Sequence, residues 1–250
     1  MEVTVERIET EMKNIEDRYW SKNDRYELFN VHVGDKRILT LFTESNSVMK
    51  KWVSELQKAN RKNKSNYPLI VGMCVDRELE YLKKGLKDNP YDVIVFCTGS
   101  NCLIYSLPDG EHYGGGYGSN EVPKVLKEFL ADSKAIFVGM DIADVSKKLE
   151  KDQELKVERS VDIRCLGEKV LDLWMRHMKE FNLDQIAEMM LDERMDFERS
   201  DIFDKWRDRD SRGFEINRDY AKYLTVDAFL LHEMATKYVD ITTKLVSNSK

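Results

Sequence analysis

Seven consecutive residues, Leu69-Ile-Val-Gly-Met-Cys-Val75, carry no polar side chain. A strand turns successive side chains to opposite faces, so a half-solvated strand alternates polar with apolar. An unbroken apolar run requires cover on both faces, as in the parallel-type sheets of α/β proteins. Val93-Ile-Val-Phe-Cys97 and Cys102-Leu-Ile-Tyr-Ser-Leu107, on either side of Thr98-Gly-Ser-Asn101, predict a second buried pair of strands. Tyr26–Val33 and Arg37–Thr43 instead alternate around Gly34-Asp35-Lys36, a hairpin signal.

Between these segments the period changes to that of a helix. Val48, Trp52, Leu56 and Ala59 share one face of a helix over Ser45–Asn60. A helix over Val122–Leu130, a strand over Ala135–Met140, a helix over Asp144–Glu150 and a short strand over Val157–Ile163 follow. From Leu166 onward the pattern is helical, with Leu183, Ile186, Ala187 and Met190 on one face. Near the N-terminus Ile8, Met12, Ile15 and Tyr19 form a helical stripe, predicting a helical extension over 1–24 ahead of one domain over 25–250. Tyr113-Gly-Gly-Gly-Tyr-Gly118 lacks the lysine of a phosphate-binding loop and reads as a plain loop. The charged tract 192–212 reads as a solvated loop or edge. One mixed sheet with helices packed on it accommodates all of these elements.

Composition narrows the partners. The chain has 250 residues, 42% hydrophobic and 34% charged, with no apolar stretch long enough to span a membrane. Its start is acidic and has no apolar signal region. Cys74, Cys97, Cys102 and Cys165 show neither paired metal-ligand spacing nor a dense disulfide pattern, which points to a reduced cytoplasmic or nuclear compartment. A net charge of −6 argues against broad electrostatic binding of nucleic acid. Any such contact needs a local patch, and Lys58, Arg61, Lys62 and Lys64 are the candidates. Read without function, the same four residues are a solvated helix end and linker.

Near the C-terminus, Tyr220, Leu224, Asp227, Leu231, Met234 and Tyr238 recur at steps of three and four. Asp227 thus sits within an apolar helix stripe, where a carboxylate needs a partner. Tyr223 lies one turn before it. Alternatively, Asp227 caps a helix that starts at Ala228.

Pro68-Leu-Ile-Val-Gly-Met-Cys-Val-Asp76, Cys102-Leu-Ile-Tyr, Phe129-Leu-Ala-Asp, Phe137-Val-Gly-Met-Asp-Ile and Tyr223-Leu-Thr-Val-Asp-Ala-Phe229, in that order, resemble the Werner-type 3′–5′ exonuclease domain. This is the RNase H-like, DEDDy superfamily, and the wording is most similar to small single-domain plant members. The resemblance runs from about Arg25 to Tyr238. It implies an α/β, RNase H-like (DnaQ-like exonuclease) mixed sheet flanked by helices. It further implies hydrolysis at single-stranded or 3′-ended DNA or RNA by two Mg²⁺ or Mn²⁺ ions on four carboxylates, with a tyrosine placing the water. Homo-oligomers, including rings, are also implied by the resemblance.

Carried over residue by residue, the carboxylate pair of the first core strand falls on Cys74 and Asp76. The third carboxylate falls on Val145, with Asp141 and Asp144 close by but out of register; a shift would let Asp144 serve. Read without function, Asp141 or Asp144 caps the next helix. Tyr223 and Asp227 match the last pair. The implied catalytic set is therefore Asp76, Asp144, Tyr223 and Asp227, with metal on Asp76 and Asp227. Sulfur suits Mg²⁺ poorly, so hydrolysis is expected to be weak or lost. An inactive fold kept for binding nucleic acid or for self-assembly is the alternative. Cys74 also reads as a small buried hydrophobe, and His232 as a helix-surface residue.

Overall fold

The computed structural model describes residues 1–8, 26–62, 68–76, 90–108, 122–170, 178–192, 194 and 216–248. In chain order the elements are β1 (Val3–Arg7), β2 (Tyr26–Val33), β3 (Lys36–Thr43), α1 (Asn46–Lys62), β4 (Leu69–Asp76), β5 (Val93–Thr98) and β6 (Asn101–Ser106). There follow α2 (Lys124–Leu130), β7 (Ala135–Gly139), α3 (Ile142–Gln153), β8 (Ser160–Asp162), α4 (Ile163–Val170), a 3₁₀ turn at Met178–Glu180, α5 (Leu183–Leu191) and α6 (Arg218–Asn248). The strands form one eight-stranded sheet in the order β1-β2-β3-β6-β5-β4-β7-β8. Pairs β3/β6, β4/β7 and β7/β8 are parallel, and β5 runs antiparallel to both its neighbours. The architecture is the expected α/β one, a mixed sheet flanked by helices.

The apolar run of β4 explains the layering. Ile70 and Cys74 pack into the core on one face, which α4, α5 and α6 cover. Val71 and Met73 pack into the other, under α1, α2 and α3. On that second face Phe96, Phe129 and Phe137 meet edge-on or tilted, with centroids 5.3–6.0 Å apart. Such pairs contribute about 1 kcal/mol each beyond their burial.

Gly72 fixes how closely α6 lies on the sheet. A Cβ there would collide with the Ala228 carbonyl oxygen and come 2.8 Å from the His232 amide nitrogen. Only glycine lets the helix backbone rest directly on β4.

Three expectations change. Val3–Arg7 is a strand, not the opening of a helix, and pairs antiparallel with β2 from Val3↔Val33 to Arg7↔Phe29. Val3 and Val5 pack against the core while Glu2, Thr4 and Glu6 face out, a two-residue period that the longer helical stripe obscured. The remainder of that stripe, from Met12 to Tyr19, lies outside the described residues, as do the glycine-rich loop and nearly all of the charged tract. Second, β8 spans only Ser160–Asp162, because Ile163 already opens α4. Third, α6 runs unbroken through residue 227, so Asp227 is mid-helix and caps nothing.

Candidate functional site

Strand β4 and helix α6 pass each other antiparallel and in step. Every second strand residue advances roughly 6.6 Å, and every fourth helix residue about 6 Å. Gly72 therefore meets Ala228, Cys74 meets Leu224 and Asp76 meets Tyr220. The Cys74 thiol points at the Leu224 carbonyl oxygen, 3.7 Å away. The Tyr220 hydroxyl donates to Asp76 Oδ2 at 3.4 Å. Burial pushes the Tyr220 phenol well above its usual value of 10.0, and the charges of Asp76, Cys74 and Asp92 add to this. The phenol is thus held protonated, as a donor facing a carboxylate. The backbone amide of Asp92 donates to the Asp76 carbonyl at 3.0 Å, tying β5 to the same end of β4.

The start of α3 supplies no third carboxylate in register. Val145 is half-buried and packs into the core on the opposite face of the sheet from α6. Asp144 leaves its side chain 84% exposed and pairs with Lys147 at 3.2 Å. Asp141 holds the N-cap position with φ 52 and makes no side-chain cap hydrogen bond. Its carboxylate instead pairs with Arg164 at 2.5 Å. The capping expected of Asp141 or Asp144 is therefore met by backbone alone: the Asp141 carbonyl accepts from the amides of Asp144 and Val145.

Tyr223 and Asp227 are both half-buried on α6, and Tyr223 packs against the core that α6 shares with the sheet. Seven residues separate Asp227 from Tyr220, about 10 Å of helix rise. Tyr220 belongs to the apolar stripe of the sequence, but its meeting with Asp76 follows from the antiparallel passage of α6 over β4, which spacing within the helix does not encode. His232 is half-buried, with its imidazole hydrogen-bonded to the backbone of Ile70, and burial lowers that imidazole below the usual 6.5.

Lys58 and Arg61 are exposed at the end of α1, while the side chain of Lys62 and all of Lys64 lie outside the described residues. Because α1 covers the other face of the sheet, Lys58 and Arg61 belong to a different helix layer from Tyr220.

Two divalent ions about 4 Å apart need several hard oxygen ligands converging on one cleft. The residues do not fit them: one register position presents sulfur toward a carbonyl, a second presents a half-buried valine packed against the core, and Asp144 beside it is exposed and paired with a lysine. Among the described residues no group of three or more His, Cys, Asp or Glu side chains converges as metal ligands. No helix among them is long and apolar enough to cross a membrane.

No protein-family model matches the sequence, and no curated protein matches it. Among solved structures, the chain is similar to crystal structures of the EXD2 exonuclease domain. One, soaked in Mn and GMP, is 16% identical with a TM-score of 0.41, covering 82% of this chain and 93% of that one. Another, without a soaked ligand named, is 18% identical with a TM-score of 0.40, covering 83% and 96%.

Proposed function

We propose that this chain is a Werner-type, DEDDy 3′–5′ exonuclease relative that engages single-stranded or 3′-ended nucleic acid, DNA or RNA, with its two-metal hydrolysis impaired. One observation carries the impairment: of the positions that the resemblance matches to metal-binding carboxylates, Cys74 faces the Leu224 carbonyl and Val145 is half-buried against the core. The ordered segments from Pro68 to Phe229 support the relationship, and the mixed sheet is the architecture they imply. With Asp76 and Asp227 as the remaining carboxylates, a Mg²⁺ or Mn²⁺ pair lacks the charge balance that stabilises an attacking and a leaving oxygen.

The test is a 3′-end degradation assay on a single-stranded oligonucleotide, with binding followed in parallel by fluorescence anisotropy. The wild type is expected to bind with a steep salt dependence and to leave the strand uncut in Mg²⁺. Metal-dependent shortening from the 3′ end, abolished by Asp76→Asn, would overturn the impaired reading. Absence of any binding at low salt would overturn the nucleic-acid reading.

A further inference from the structure

Strands β5 and β6 place two thiols directly across from each other. Their hairpin turns on Gly99, whose φ of 57 suits the first central position of a two-residue turn, and Thr98 faces Asn101 across it. Facing pairs in an antiparallel ladder alternate between hydrogen-bonded and non-hydrogen-bonded. Thr98 and Asn101 close the turn as a hydrogen-bonded pair, so the next pair, Cys97 and Cys102, is non-hydrogen-bonded. In such a pair the Cα atoms lie about 4.5 Å apart and the side chains are at their closest. A disulfide spans a Cα separation of roughly 4.4–6.8 Å. Both cysteines are fully buried in the core that α6 covers. The Cys97 thiol donates to the Gly99 carbonyl at 3.6 Å, and the Cys102 thiol lies within hydrogen-bonding reach of it.

We propose that Cys97 and Cys102 form a redox modification site, closed to a disulfide by hydrogen peroxide and reopened by small thiols. Two thiols and one peroxide give one disulfide and two waters. One sulfur attacks a peroxide oxygen, the O–O bond breaks, and a water leaves with that thiol's proton. The second sulfur attacks the sulfenic acid so formed, the S–O bond breaks, and the second water carries off the remaining proton. Burial and the adjoining Cys102 push the Cys97 thiol well above its usual range, with Glu233 and Cys74 adding to the shift. Since the thiolate is the nucleophile, the packed pair is protected at rest. It reacts when the end of the hairpin opens, where Ser100 and Asn101 already face solvent. The bridge then staples β5 to β6, next to β4, and restrains the unfolded chain. None of this depends on the nucleic-acid reading. As packing alone the two residues are small hydrophobes, and peroxide then leaves them unbridged.

The experiment treats the native full-length protein with hydrogen peroxide, alkylates the remaining thiols in denaturant, and maps the digest by mass spectrometry. The peptide spanning Cys97 and Cys102 should be unalkylated and lighter by two hydrogen atoms, and dithiothreitol should restore both thiols. Cys74→Ala and Cys165→Ala should leave this product intact, whereas Cys102→Ala or Cys97→Val should abolish it. The oxidised wild type should also unfold at a higher denaturant concentration than the reduced one. The proposal is overturned if both cysteines remain alkylatable while exposed Cys165 is oxidised. A bridge from Cys97 to Cys74, a bridge that forms only after denaturation, or a bridge that leaves the unfolding midpoint unchanged or lower overturns it as well.

Discussion

At Gly72, β4 and α6 come together backbone to backbone, and the site above depends on that approach. A methyl group there meets the Ala228 carbonyl, which belongs to a helix and cannot yield as a flexible side chain would. Gly72→Ala should therefore destabilise the protein by about 3 kcal/mol, the upper range for overpacking, measured as a shift of the denaturant midpoint. His232 lies on the same contact, and its burial has a consequence in pH. The folded state holds this imidazole neutral with its pKa below 6.5, whereas the unfolded chain protonates near 6.5. As pH falls through 6.5 the unfolded state takes up the proton first, so stability drops until the folded form protonates too. His232→Leu should flatten that part of the stability–pH curve. Equal slopes in variant and wild type would show that His232 is not the titrating group.

Two helices show how an element, rather than a residue, decides what a side chain can do. On α3, Val145 and Asp144 are neighbours with opposite surroundings: one packs into the core, the other pairs with Lys147 in solvent. Val145→Asp should cost about 2 kcal/mol by placing a charge against apolar neighbours. Asp144→Ala should change stability by less than about 0.5 kcal/mol, as for an exposed ion pair. Both are readable by chemical denaturation, and a large effect of Asp144→Ala would contradict its reading as an exposed ion pair. On α6, Thr225 donates to the Ala221 carbonyl at 2.7 Å and lies 3.0 Å from Thr40 of β3, both hydroxyls buried. Thr40→Val should cost about 1 kcal/mol, the net value of one buried hydrogen bond.

Across the whole molecule, legibility followed the range of the physical signal. The run at Leu69–Val75 announced a strand covered on both faces because burial acts on every residue of the run. The hairpin of β2 and β3 was readable because Gly34 supplies its turn with φ 59. Strand β1 was hidden because its partner is β2, 22 residues on at the closest pair of Arg7 and Phe29, and its own five residues carry little pattern. That Cys74 and Val145 stand where the resemblance expects carboxylates is a reading of motif order in the sequence alone. Tyr220 against Asp76 was not legible there, because the two are 144 residues apart and meet only through the glycine-permitted approach of α6 to β4.

The central claim is that the residues described at the carboxyl end of β4 do not hold a pair of divalent cations. The most direct test is a crystal of the full chain grown with Mn²⁺, with diffraction collected at a wavelength where manganese scatters anomalously. The account predicts no anomalous peak at Asp76 and the Tyr220 hydroxyl still against its carboxylate. A manganese ion bound to Asp76, with Tyr220 displaced from it, would contradict the account.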